Sequence, residues 1–390
     1  MADKAYITPN VLKWARESAR ITEEAAASKV AVTIDKIKEW EDGISQPTIR
    51  QAQNLAKAYK RPFALFFLPD IPRDFQPLQD FRKKDSKAFG TASIFIIREI
   101  QQKQTWISEV NEENNEKKIP FVGRFSMNDS PIKVANDILE TLSINPLNYK
   151  NENPIKEWID NAESKGIYIS RTSFIHSRLK LDSEEVQGFA IADPFAPFVF
   201  VNSDDWNAPQ LFTLVHELAH IWIAETGISN DINVPIANKD KYSPVEIFCN
   251  EVAANALIPE EIIINIERNV FENSVEIFKV AKKLGISSFA FLVRALNLQL
   301  ISLSTYKRLK QEADIEYRSF LKREADKKAK QKDSTGGPNY FLLQLNRNSR
   351  LFTQTVLDAF RGGFIEPTQA SSLLNIQTTK FSKLEAQLYK

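Results

Sequence analysis

Between residues 9 and 60, apolar positions recur every three or four residues and are broken by short polar turns. That spacing predicts a run of short amphipathic helices. VLKWARESAR reads as the first and ITEEAAASKV as the second, capped by Thr22 with glutamates behind it. VTIDKIKEWEDG reads as the third, capped by Thr33 and ended by Gly43, and QPTIRQAQNLAKAY as the next. The rhythm stops at 61–90. There RPFALFFLPDIPRDFQPLQDFRK carries prolines that block long elements and aromatics that need a surface, so it is expected to wrap against a neighbouring domain. Helical spacing resumes over 91–117 and twice within 130–165. GIYISRTSF, VQGFAIAD and PFVFVN then read as strands, being β-branched or aromatic runs bounded by Gly, Pro, Asp and Asn. Long apolar helices follow near 207–224 and 243–257, and AKKLGISSFAFLVRALNL has core-helix spacing. Residues 321–332 read as a basic solvated helix and DSTGGP at 333–338 as a break. The tail, 339–390, is helical again, and within it RLFTQTVLDAFRGGFIEPTQASSLLNIQTTKFSKLEAQL reads as three short helices with a Gly-Gly break. The segment reads as a helical cap, with ASSLLNI and TTKFSKL faintly resembling a second helix-turn-helix.

The pattern predicts an α+β, mostly helical multidomain protein whose centre is the stretch where strands lead into helices. A chain of 390 residues is too long for one small core, and two or three domains are expected. The net charge of +1 gives no global field toward DNA or membrane, so any nucleic-acid affinity must be local. One cysteine, Cys249, allows no intramolecular disulfide. The start MADKAYITPN lacks the signature of a secretory signal, and no apolar run is long enough to span a bilayer. A cytoplasmic protein without a membrane partner is expected.

The chain has three histidines, and two of them fall in LFTLVHELAHIW, as His216 and His220 with Glu217 between them. Four residues are about one helical turn, so both imidazoles share a face and can offer two nitrogens to one tetrahedral zinc, with Glu217 beside the metal-bound water. The helix is apolar on most sides and should be buried, where two imidazoles and a carboxylate are costly unless paired or ligating. Hydrogen-bonded core histidines, or a purely structural zinc, are the competing readings. The third ligand is expected from SPVEIFCNEVAANALIP, a helix capped by Ser243 with Pro244 in its first turn. Glu246, Cys249 and Asn250 fall on one face of it. Glu246 is the ligand candidate, Asn250 the group that holds either the ligand carboxylate or a histidine Nδ1–H, and Cys249 a buried packing residue. Glu251 points elsewhere.

FTLVHELAH followed by VEIFCNEVAANALIP resembles the ImmA/IrrE family of bacterial zinc metallopeptidases, and GFAIADPFAPFVFVNSDDWNAPQLFTL resembles what precedes the zinc helix there. The likeness covers roughly residues 150–300. It implies a zincin-like core with a small sheet, zinc ligands at His216, His220 and Glu246, and Glu217 as catalytic base. Cys249 and Val252 stand where many members have alanine and phenylalanine. The order of the whole chain is similar to a branch fused to an amino-terminal repressor-like module. Family members cut repressor proteins in phage, mobile-element and stress regulation, which implies a helix-turn-helix repressor or an antitoxin as protein substrate. Manganese or iron could replace zinc in such a nitrogen–oxygen site.

Within that reading the ion acidifies a water and Glu217 takes its proton. A second oxyanion donor is required, for which His176 and Tyr242 are the candidates, although His176 also reads as an exposed loop residue. PFVFVN is either a sheet edge on which substrate adds as a strand or an ordinary core strand. Residues 9–60, with their W-E-x-G ending, resemble the XRE-type helix-turn-helix, which would bring Thr33, Asp35, Lys36 and Lys38 to the major groove. Glu23, Glu39 and Asp42 oppose phosphate contact, so the module reads either as a DNA reader or as a protein-recognition or homodimerisation element. The expected partition is residues 1–66 for this module, 67–150 for the connector and helical linker, 151–300 for the metallopeptidase core, 301–338 for the basic helix and linker, and 339–390 for the helical tail. Three functions compete: a regulatory zinc endopeptidase, a DNA-binding regulator whose metal domain is a sensor, and the proteolytic part of a toxin–antitoxin or phage-defence system.

Overall fold

A computed structural model describes residues 3–72, 78–80, 87–176, 179–229, 243–332 and 339–390. Among these residues the chain forms seventeen α-helices, one five-stranded sheet and one two-stranded hairpin, an α+β fold dominated by helix. It divides into two compact units. The first takes in Met1–Pro77, Lys87–Gln101 and Phe174–Glu185; the second takes in Leu78–Ser86, Gln102–Ser173 and Val186–Lys390.

The first unit opens with α1 (Pro9–Ser18), α2 (Glu23–Val30), α3 (Ile34–Glu41) and α4 (Ile49–Tyr59). Thr22 caps α2 by accepting from the Ala25 N–H, and Thr48 with Gln51 forms a reciprocal capping box on α4. Thr33 is the N-cap residue of α3, but its side chain makes no capping bond. The turn from α2 to α3 passes through Ala31 in the left-handed region. Val11, Leu12, Ala26, Ile37, Trp40, Leu55 and Tyr59 are buried, the inward positions of the 3.6-residue spacing. Arg16 and Glu41 form a buried two-pronged pair, with Nε to Oε1 at 2.7 Å and the outer nitrogen to Oε2 at 2.8 Å. In the connector, Phe63–Phe67 form a 3₁₀ turn whose buried Phe66 lies against Tyr59. The hairpin of β3 (Phe174–His176) and β4 (Leu179–Lys180) also belongs to this unit. Just beyond it, Glu185 accepts from the Gly90 N–H and the Ser93 hydroxyl.

The second unit is built on a sheet of order β1-β7-β5-β6-β2, from β1 (Gln79–Asp80), β2 (Tyr168–Thr172), β5 (Gly188–Ile191), β6 (Phe198–Asn202) and β7 (Gly227–Ser229). β5 is antiparallel to both neighbours, whereas β2 pairs with β6 and β1 with β7 in parallel. PFVFVN is therefore an interior strand, buried along its whole length, and not a sheet edge. Its partner β2 takes the edge because helices of the tail cover that side: Ser170 donates to the Arg347 carbonyl.

The helices of this unit are the second half of α5 (Thr91–Glu113), then α6 (Pro131–Leu142), α7 (Pro154–Ser164), α8 (Asn207–Trp222), α9 (Pro244–Leu257), α10 (Glu260–Ile263), α11 (Ser274–Leu284), α12 (Ser288–Asn297) and α13 (Leu303–Lys332). The tail adds α14 (Tyr340–Asn348), α15 (Arg350–Arg361), α16 (Pro367–Leu374) and α17 (Phe381–Leu388). The basic segment 321–332 is not a separate helix but the last part of α13. From Gln210 to Trp222 every residue of α8 is buried, because α6, α7 and α9 pack around it and β5 and β6 lie on its remaining face. Its last carbonyls are satisfied by the loop before α6: the Gly123 and Phe125 N–H groups donate to Ile221 and Trp222. The Trp222 ring stacks on Phe121 at 4.4 Å and donates its N–H to Asp137.

Candidate metal centre

The apolar helix α8 and the helix α9 pack against each other within the second unit's core. Pro244 starts α9 with Ser243 as its N-cap, although the Ser243 side chain makes no capping bond. Ala253 and Ala256 are fully buried small residues that keep α9 close to its neighbours.

This packing brings His216, His220 and Glu246 together, with all three side chains buried and one ligand atom from each within 4.8 Å of the others. His216 Nε2 lies 3.1 Å from His220 Nε2 and 3.3 Å from Glu246 Oε2, and His220 Nε2 lies 3.3 Å from Glu246 Oε1. Tetrahedral zinc with bonds of about 2.0–2.1 Å separates its ligand atoms by roughly 3.3–3.4 Å. The two imidazole nitrogens and the carboxylate lie at about that spacing, each nitrogen facing a different Glu246 oxygen, so the donor set fits the ion.

Burial pushes the Glu246 carboxyl up, but the charge and hydrogen bonds of His216 and His220 outweigh it and hold the group well below the usual carboxylate range. Burial pushes the His220 imidazole down. A metal requires the carboxylate ionised and the imidazole neutral, and the direction of each shift favours that state. The outer nitrogen of His216, Nδ1, lies 3.0 Å from Asn250 Oδ1, so the ring is oriented from α9 as well as from α8. Cys249 is fully buried, and burial pushes its thiol well above the ordinary range, which leaves it protonated and inert.

Glu217 follows the first histidine and has no exposed surface. Its carboxylate lies against strand β5 at Gly188: a Cβ there would stand 2.7 Å from Glu217 Oε1 and 2.6 Å from Thr213 Cγ2. Neither Gly188 nor Thr213 stood out in the sequence reading. A glycine inside a strand pattern does signal close backbone approach, and QGFAI carried that signal.

The buried group contains none of the other anticipated residues that its own unit describes. His176 is an exposed residue on β3 of the first unit rather than a loop residue, and Tyr242 lies outside the described residues. Glu251 is exposed on α9. Thr33, Asp35, Lys36 and Lys38 lie along the start of α3, where Lys36 pairs with Glu39 at 2.5 Å and Lys38 with Glu23 at 3.5 Å. Among the described residues no helix is long and apolar enough to cross a membrane.

No curated protein matches the chain. Residues 162–296 do match a peptidase family described as the IrrE N-terminal-like domain, and the matched span contains both helices of the metal centre and the strands β2, β5, β6 and β7 beside them.

Proposed function

We propose that this chain is a zinc-dependent endopeptidase in which His216, His220 and Glu246 hold the metal and Glu217 is the catalytic base. The observation that carries the reading is the cluster itself: the Nε2 atoms of His216 and His220 lie 3.1 Å apart and each lies 3.3 Å from one of the two Glu246 oxygens, with the fully buried carboxylate of Glu217 on the same helix. The bound ion would acidify a water and polarise a peptide carbonyl. Glu217 would accept the proton and deliver it to the departing amine. Asn250 would keep His216 in the tautomer whose Nε2 faces the site, by accepting from its Nδ1–H. The match to a peptidase family over this span supports the same chemistry. Manganese would fit the same nitrogen and oxygen donors.

We infer further that α1–α4 form a helix-turn-helix module and that the substrate is a protein, with small helix-turn-helix repressors and antitoxins as the class to try first. The support is local. α2 and α3 are joined by a turn of three residues, and α3 buries Ile37 and Trp40 while exposing its polar side. The lysines on that side are matched to Glu39 and Glu23, which weakens attraction to a phosphate backbone and favours a protein partner. Regulation of phage, mobile-element or stress responses and membership of a toxin–antitoxin pair are roles such a protease could fill.

The test is direct. Purified full-length chain, loaded with zinc or manganese, is incubated with a panel of small helix-turn-helix proteins and the products are sized by mass spectrometry. Cleavage that disappears in E217Q, with metal content unchanged, supports the reading. Cleavage that persists in E217Q refutes it. Tight duplex-DNA binding with a steep salt dependence would instead favour a DNA-binding regulator whose metal domain is a sensor.

A further inference from the structure

We propose that Gly188 is a positioning residue for Glu217: by lacking a Cβ it lets strand β5 close onto helix α8 and fixes where the carboxylate rests. This rests on the hydrolase reading above and deepens it.

Gly188 does not have a left-handed φ, so its backbone conformation is open to any residue. The need for glycine there is steric. A Cβ at this position would meet three atoms of α8: Thr213 Cγ2 at 2.6 Å, Glu217 Oε1 at 2.7 Å and Glu217 Cγ at 3.1 Å. Unstrained carbon contacts lie at about 3.5–4.0 Å. Thr213 and Glu217 are one turn apart, so they form a single ridge, and the glycine rides on it.

Neither the strand nor Thr213 can give way easily. Gly188 is paired on both sides, in register with Val201 of β6 and Ser229 of β7, and a shift would pull on both pairings. Thr213 is β-branched, and its hydroxyl donates to the Pro209 carbonyl at 3.1 Å, which fixes its methyl against the strand. The group that yields to an added methyl is the Glu217 side chain. A purely packing role for Gly188 would be relieved by shaving Thr213, whereas a positioning role would not, because the carboxylate stays displaced.

The experiment compares zinc-loaded full-length G188A, T213S, G188A/T213S and E217Q with the unaltered chain. It reads zinc content, thermal midpoint, and affinity for acetohydroxamic acid, a zinc chelator whose hydroxyl donates to an adjacent carboxylate. The expected result is that G188A keeps its zinc and weakens acetohydroxamate binding as much as E217Q does. G188A/T213S should regain thermal midpoint without regaining that affinity. If a protein substrate is in hand, kcat of the double variant should fall about a hundredfold with KM little changed, the scale of a displacement near 1 Å. G188A binding acetohydroxamate like the unaltered chain, or full recovery of affinity in the double variant, overturns the proposal. An E217Q variant that binds the chelator normally instead removes the hydrolase reading, and this proposal falls with it.

Discussion

Asn250 Oδ1 lies 3.0 Å from His216 Nδ1, joining helix α9 to the first histidine of helix α8. Both groups are fully buried, so the interaction is not shared with bulk solvent. An acceptor on Nδ1 holds the proton there and leaves Nε2 free to bind. N250A is expected to keep the fold and lose about 10–100-fold in zinc affinity, which is the usual effect of deleting an outer partner of a ligating histidine. Competition against a chromophoric chelator measures it. N250D, which retains the acceptor, should recover much of the loss; equal weakening in both variants would assign the effect to packing.

Metal removal should register as stability. If the buried group binds zinc, it does so only in the folded chain, and zinc at a hundred times its Kd would add about 2.7 kcal/mol. The thermal midpoint should fall on chelation with EDTA and return with zinc or manganese. In E246Q the zinc-dependent rise should vanish, because a neutral amide replaces the carboxylate that spans His216 and His220. A midpoint indifferent to metal in the unaltered chain would remove the metal centre from consideration.

Much of this centre could be read from residue types and spacing. His216 and His220 are one helical turn apart with Glu217 directly after the first, and the apolar residues around them foretell burial, so the local pattern and the packing agree. Glu246 and Asn250 were legible for the same reason. The parts that stayed hidden depend on long-range pairing. Nothing in Gln79–Asp80 marks it as a strand, and its pairing with Gly227–Ile228 arises only once the sheet exists. PFVFVN has the composition of a buried strand whether it lies at an edge or inside, and only the arrival of β2 and β5 on its two sides decides. Lys103 looks like any lysine on a polar helix, yet it is buried and donates to Asn348, 245 positions away. Local periodicity carries no information about such partners.

The Arg16–Glu41 pair offers a test confined to the amino-terminal helices. Both side chains are buried and joined by two hydrogen bonds, and the carboxylate raises the arginine's pKa further. Removing one partner leaves the other charge uncompensated, which typically costs about 3–5 kcal/mol. E41A should therefore melt this module, seen as loss of helical circular dichroism at a lower temperature. R16M/E41L, which removes both charges, should be far milder. If E41A and the double variant cost the same, the pair contributes only packing.

Glu163 gives the chain a pH dependence of definite sign. The residue lies in the last turn of α7, almost fully buried, and it accepts from the Ser349 hydroxyl at 2.5 Å and the Arg350 N–H at 3.0 Å, tying down the start of α15. Burial pushes its carboxyl up from 4.5 to about 7, against the opposing pull of those donors. Because the folded state holds this proton more tightly than the unfolded chain, the stabilisation is complete below pH 4.5 and is lost as pH rises through about 7. Within that window each unit should cost about 1.4 kcal/mol. Denaturant midpoints of the unaltered chain should thus fall between pH 5 and 8 relative to E163Q, a neutral side chain that still accepts from Ser349. At pH 8 the E163Q chain should be the more stable of the two, and near pH 4.5 the difference should close. Parallel pH profiles for the two chains would mean that Glu163 is ionised throughout, and that the donors of α15, not burial, set its charge.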